Sequence, residues 1–122
     1  MITILVIDAD PAVRLAARRV LEAAGFTVIS VPSASAALHR LETLRADLVI
    51  CDISMPGSEG ASAIDAIRSV DPLAQILGLF AKDRDSSGVL SGMTYTLGKP
   101  FTASELLTVV RRCLARPGLR PS

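Results

Sequence analysis

Leu48-Val49-Ile50-Cys51-Asp52-Ile53-Ser54-Met55-Pro56-Gly57 is the stretch that decides how this chain reads. Four apolar residues of strand length run into an acid, and a proline and a glycine follow where a chain leaves a strand and turns. Asp52 is thereby placed at the carboxyl end of a central strand, which is where open α/β sheets carry their chemistry. Working outward, Ile4-Leu5-Val6-Ile7 is an earlier apolar run closed by Asp8 and Asp10, and Lys99 stands before Pro100 after a third run. Three acids and one lysine, each at a strand end, have the make-up of a site for a phosphoryl group.

Strand-length runs alternate with segments of helical period along the chain. Thr3 to Asp8 reads as a first strand. Val13, Ala16, Ala17, Val20, Leu21 and Ala24 then recur at helical spacing until Gly25 stops the helix. Phe26 to Val31 reads as a second strand and Ala34 to Leu44 as a second helix capped by Ser33. Leu48 to Cys51 follows as the third strand. A turn through Pro56, Gly57 and Gly60 leads to a helix around Ala63 to Val70, ended by Asp71-Pro72 because the residue before proline avoids helical torsions. Gln75 to Ala81 is a fourth strand, Asp85 to Met93 a short, weakly patterned helix interrupted by Gly88 and Gly92, and Tyr95 to Leu97 a fifth strand. Thr102-Ala103-Ser104-Glu105 has capping-box spacing and opens a last helix with Leu106, Leu107, Val110 and Leu114 on one stripe. Five strands alternating with five helices imply an α/β fold, a parallel five-stranded sheet covered on both faces, because parallel connections need right-handed crossovers. Residues 1–116 form one domain in this reading, and 117–122 a flexible tail.

Composition bounds the function. The chain has 122 residues, half of them apolar and one in five charged, with very few aromatics, so its core is aliphatic. A formal net charge of +1 sets up no field to recruit nucleic acid or a membrane, and no apolar stretch is long enough to span a bilayer. Cys51 and Cys113 lack metal-ligand spacing and read as small core residues, in keeping with a reducing, cytoplasmic setting. His39, the single histidine, reads as an exposed helix position, and Lys82-Asp83-Arg84-Asp85 as a solvated loop of alternating charge.

Taken in order, Ile4-Leu5-Val6-Ile7-Asp8-Ala9-Asp10-Pro11, Asp47-Leu48-Val49-Ile50-Cys51-Asp52-Ile53-Ser54-Met55-Pro56-Gly57 and Gly98-Lys99-Pro100-Phe101-Thr102 resemble the receiver domain of two-component response regulators, over nearly the whole of Met1 to Ala115. The resemblance implies a flavodoxin-like sheet of order 2-1-3-4-5. It implies Asp52 as phosphoacceptor, Lys99 as the phosphate-contacting lysine, and a magnesium site of Asp8, Asp52 and the main-chain carbonyl of Ser54. It further implies a signalling phosphoacceptor rather than an enzyme, one that assists its own phosphorylation and dephosphorylation. The phosphoryl group would come from a histidine kinase or a histidine phosphotransfer protein, and the signal would pass to a downstream protein partner, without nucleic acid or membrane contact by this domain. The Lys99-Pro100 bond would be cis.

Elementary chemistry runs parallel to the resemblance. A carboxylate attacks phosphorus to form an acyl phosphate once its repulsion from the phosphoryl oxygens is neutralised. Magnesium does this with one or two carboxylates, a carbonyl and several waters, and a lysine ammonium supplies a compact mobile charge.

Three positions depart from the family pattern. Receivers usually carry two consecutive acids after the first strand, and here the second position is Ala9, with an acid displaced to Asp10. Asp10 before Pro11 has the form of a helix N-cap and first helical position, and the residues favour that role over direct metal ligation. The family's hydroxyl-then-alanine at the end of the fourth strand is Phe80-Ala81, and its aromatic three residues before the lysine is Thr96. Either Thr96 takes over the hydroxyl's role, or Phe80 fills core and Thr96 is an ordinary β-branched strand residue, the reading these residue types favour.

Two other functions compete. A degenerate receiver would keep the fold and bind a partner without phosphorylation, since Ala9 and Phe80 both alter the site. Asp8-Ala9-Asp10 also resembles the haloacid-dehalogenase phosphatase motif, with Asp8 as nucleophile and Asp10 as general acid, but Ala12 stands where that motif has Thr or Val and Asp52 is left without a task.

Overall fold

The computed structural model describes residues 1–53, 59–81 and 95–115, with the side chains of 59–62 excepted. Along the chain run β1 (Thr3–Ile7), α1 (Pro11–Ala23), β2 (Thr27–Val31), α2 (Ala34–Leu41), β3 (Leu48–Asp52), α3 (Glu59–Val70), β4 (Ile76–Ala81), β5 (Tyr95–Lys99) and α4 (Ala103–Leu114). The strands make one sheet in the order β2-β1-β3-β4-β5, every neighbouring pair parallel. The helix expected over Asp85 to Met93 and the tail beyond residue 115 lie outside the described residues, so four helices are seen among those residues.

Alternation along each strand divides the core into two layers. Leu5, Ile7, Val49, Cys51 and Ile76 face Ala37 of α2 and Ala63, Ile64 and Ile67 of α3. Ile4, Val6, Leu48, Ile50, Leu77 and Leu79 face Ala17 and Leu21 of α1 and Leu106, Val110 and Cys113 of α4. Sheet positions buried on both faces explain why β1 and β3 read as unbroken apolar runs. Each Leu or Ile so buried contributes roughly 1.5–3 kcal/mol.

Local chemistry sets the helix ends. Asp10 caps α1, its carboxylate accepting from the Ala12 amide, and Pro11 follows at the first helical position. Gly25 leaves the helix at φ 97°, a left-handed conformation that glycine adopts without strain. Ser33 caps α2 by accepting from the Ala36 amide at 3.2 Å. At α4 the Thr102 hydroxyl accepts from the Glu105 amide and the Glu105 carboxylate from the Thr102 amide, which completes the capping box.

Several boundaries differ from expectation. The α2 helix stops at Leu41 rather than Leu44, because the Glu42 and Thr43 amides tighten onto carbonyls three residues back, His39 and Arg40. The α3 helix begins at Glu59 rather than Ala63, so Gly60 is helical instead of part of the turn. A glycine in a first helical turn has no intrahelical amide bond to lose. β1 ends at Ile7 and β2 begins at Thr27, while β3 runs on to include Asp52 and β5 to include Lys99. Two of the residues that matter chemically are therefore fixed by strand pairing rather than carried on loops.

Candidate phosphoryl site

Asp8, Asp52 and Lys99 meet at the carboxyl end of the sheet. β1 delivers Asp8, whose amide extends the ladder by donating to the Val31 carbonyl. β3 delivers Asp52, paired in register with Leu79, and β5 delivers Lys99, paired with Ala81. The Lys99 ammonium lies between the two acids, Nζ 3.1 Å from Asp8 Oδ2 and 3.2 Å from Asp52 Oδ2. Asp8 is 1% exposed and Asp52 6%. Burial alone would lower the Lys99 pKa, but the hydrogen bond and charge of Asp8, followed by the charge and hydrogen bond of Asp52, outweigh it and raise the pKa above the ordinary lysine value. The Lys99-Pro100 peptide bond is cis.

Asp8 is oriented on every side. Its Oδ1 accepts from the Asp10 amide at 2.9 Å, its Oδ2 from Lys99, and its main-chain carbonyl from Arg14 Nη1 at 2.6 Å. Arg14 is a contributor that sequence reasoning missed. Its only signal was placement one helical turn beyond the Asp10 cap, which turns it back toward the end of β1.

Ala9 brings no side-chain oxygen, and Asp10 is exposed with its carboxylate on the α1 cap. Among the described residues no three or more His, Cys, Asp or Glu side chains are placed to hold a metal. Ser54 and the turn through Met55, Pro56 and Gly57 lie outside the described residues, so the carbonyl expected as a third ligand does too. The donors present are hard carboxylate oxygens that already hold one cation, the Lys99 ammonium, with a formal negative charge left over; this set fits magnesium, which needs only one or two carboxylates beside waters and phosphate.

Phe80, Ala81 and Thr96 lie on the two strands beside this cluster, Ala81 directly opposite Lys99. In the β4–β5 register Phe80 lies opposite Gly98 and Thr96 opposite Gly78, so each larger side chain has a glycine as neighbour. Phe80 packs against the layer shared by α2 and α3. Thr96 sits two rungs below Phe80, on the order of 6–7 Å along the strand. His39 is on an exposed face of α2, 3.7 Å from Glu42. Gly57 and Lys82 to Asp85 lie outside the described residues, and among those described no helix is long and apolar enough to cross a membrane.

A family model described as response regulator receiver domain matches residues 4–111. Response regulator MprA of Mycobacterium ulcerans is 36% identical over 121 residues, covering 97% of this chain and 52% of that protein. Transcriptional regulatory protein PrrA of Mycobacterium leprae is 31% identical over 118 residues, 94% of this chain and 51% of that one. The chain thus spans about half the length of the curated relatives it matches. Among solved structures, response regulator TrrA of Thermotoga maritima, crystallised with magnesium and beryllofluoride, is similar at TM-score 0.82 and 30% identity, over 93% of this chain and all of that one.

Proposed function

The chain belongs to the response regulator receiver family, and from that premise we propose that Asp52 accepts a phosphoryl group from a phosphohistidine of a histidine kinase or phosphotransfer protein. The observation that carries the proposal is the Lys99 ammonium within 3.2 Å of both Asp8 and Asp52, at the carboxyl end of the sheet. The phosphoprotein passes its signal by contact with a downstream protein, in the cytoplasm, and residues 1–116 act as the receiver unit.

The chemistry follows from the placement of these residues. An Asp52 carboxylate oxygen attacks phosphorus, the P–N bond to the donor imidazole breaks, and its electron pair stays on that nitrogen. Lys99, already beside Asp52, turns its ammonium to a phosphoryl oxygen, while Asp8 keeps the lysine at the site. Asp8, Asp52 and the Ser54 carbonyl would hold a magnesium ion, which when bound would supply the remaining counter-charge. Asp10 stays on its cap and acts at most through water.

Titration with beryllofluoride and magnesium, followed by backbone amide shifts, tests this reading. Binding with large shifts at Asp8 and Asp52 is expected, and no binding would leave a phosphorylation-independent interaction module. A ligand shifts a two-state protein only by its differential affinity for the two states. Without a hydroxyl at position 80 or an aromatic at 96, the amides of Tyr95 and Thr96 should move little. Large shifts there that vanish in Thr96→Val would instead establish Thr96 as the coupling hydroxyl.

The missing acid gives a second test. Ala9→Asp restores a carboxylate at the exposed position after Asp8, and calorimetry should record tighter magnesium binding than in the wild type. Unchanged affinity would mean that another group already fills the position.

A further inference from the structure

Among the described residues β2 is an edge of the sheet, bonded to β1 alone. Its five residues, Thr27-Val28-Ile29-Ser30-Val31, contain no proline, no charge and no break in register with β1, the devices that usually blunt an edge against pairing. In a parallel pair each residue directs its amide and carbonyl to the same side. The Thr27 amide bonds the Ile2 carbonyl and the Val31 carbonyl accepts from Asp8, so Thr27, Ile29 and Val31 face β1, while Val28 and Ser30 direct their main-chain groups outward. Along this edge runs a groove of about 290 Å³ lined by Val28, Ile29, Ser30 and Val31 and flanked by Arg18 and Arg40.

The two arginines stand on opposite faces of the sheet, Arg18 on α1 and Arg40 on α2. Both are exposed. Arg18 is paired with Glu22 at 3.2 Å, a surface contact of the weak, exchangeable kind. A strand added to β2 sends successive side chains to alternate faces, so acids at neighbouring positions would meet Arg18 on one side and Arg40 on the other. We propose that the β2 edge takes up an extended acidic segment of a partner protein as a sixth strand, its main chain bonded to Val28 and Ser30 and its carboxylates to Arg18 and Arg40. A second copy of this chain is the poorer match: an antiparallel β2–β2 pair about a twofold axis brings both Arg18 residues to one face and both Arg40 residues to the other, like charge with like. The surface stands independently of phosphoryl transfer at Asp52.

The test uses a fluorescein-labelled peptide, Val-Glu-Glu-Val-Glu-Glu-Val, with a lysine-for-glutamate version and a version N-methylated on alternate amides as controls. The acidic peptide should bind by anisotropy, more weakly as salt is raised, and should slow hydrogen exchange at the Val28 and Ser30 amides. The lysine and N-methylated peptides should not bind. R18E with R40E should weaken binding on the order of tenfold, the scale of reversing two exposed charge pairs. Absence of binding, binding that leaves Val28 and Ser30 unprotected, or equal binding of the N-methylated peptide would overturn the proposal. So would protection of the two amides that rises with protein concentration alone, the signature of self-pairing.

Discussion

Incubated with acetyl phosphate and magnesium, the wild-type chain is expected to gain one acid-labile, hydroxylamine-sensitive phosphoryl group, and Asp52→Asn none. The loss should be complete because the amide keeps the shape of the side chain and one accepting oxygen while removing the anionic nucleophile. Asp8→Asn should still be labelled, at lower yield, because Asp8 holds Lys99 and the cation but does not itself attack. Intact-protein mass spectrometry reads both variants. The reverse pattern, labelling that survives Asp52→Asn and vanishes in Asp8→Asn, would support the phosphatase-like chemistry that Asp8-Ala9-Asp10 suggests on its own.

Lys99→Met should lower stability at neutral pH by about 2–3 kcal/mol in urea unfolding. Removing one member of a buried ion pair typically costs ~3–5 kcal/mol, because the remaining charge is left uncompensated in a low-dielectric site. Lys99 stands against two such carboxylates, but its own side chain is 18% exposed, which screens part of the loss. The pH dependence follows from the raised lysine pKa. A group whose pKa is higher in the fold than in the unfolded chain contributes its full stability below the unfolded value and loses it as pH rises through the folded one. The gap between wild type and Lys99→Met should therefore hold through neutral and mildly alkaline pH and close only above the ordinary lysine pKa, about 10.4. A variant as stable as the wild type at pH 7 would show that solvent already compensates the two acids.

Much of this arrangement was legible because its signals are local. Apolar runs ending in Asp8, Asp52 and Lys99 located three strand ends, and Asp10-Pro11 and Thr102 to Glu105 announced two helix starts that the hydrogen bonds bear out. Tertiary constraint hid the rest. Whether Asp52 and Lys99 belong to strands or to the loops after them depends on pairing with Leu79 and Ala81, and no local pattern encodes such partners. The exchange of aromatic and hydroxyl between positions 80 and 96 could not be interpreted from spacing either. Only the register sets Phe80 against Gly98 and Thr96 against Gly78, which accommodates a large ring near the end of β4 by omitting a side chain next to it. Arg14 escaped notice for a similar reason: its partner is a main-chain carbonyl, which carries no sequence signature.

The central claim is that Asp52 is the phosphoacceptor, and borohydride trapping tests it most directly. Reduction converts an aspartyl phosphate to homoserine, and peptide mapping then places the converted residue. Homoserine at position 52, dependent on both phosphodonor and magnesium, is the result expected. Homoserine at position 8, or at neither position in a folded protein, would contradict the account.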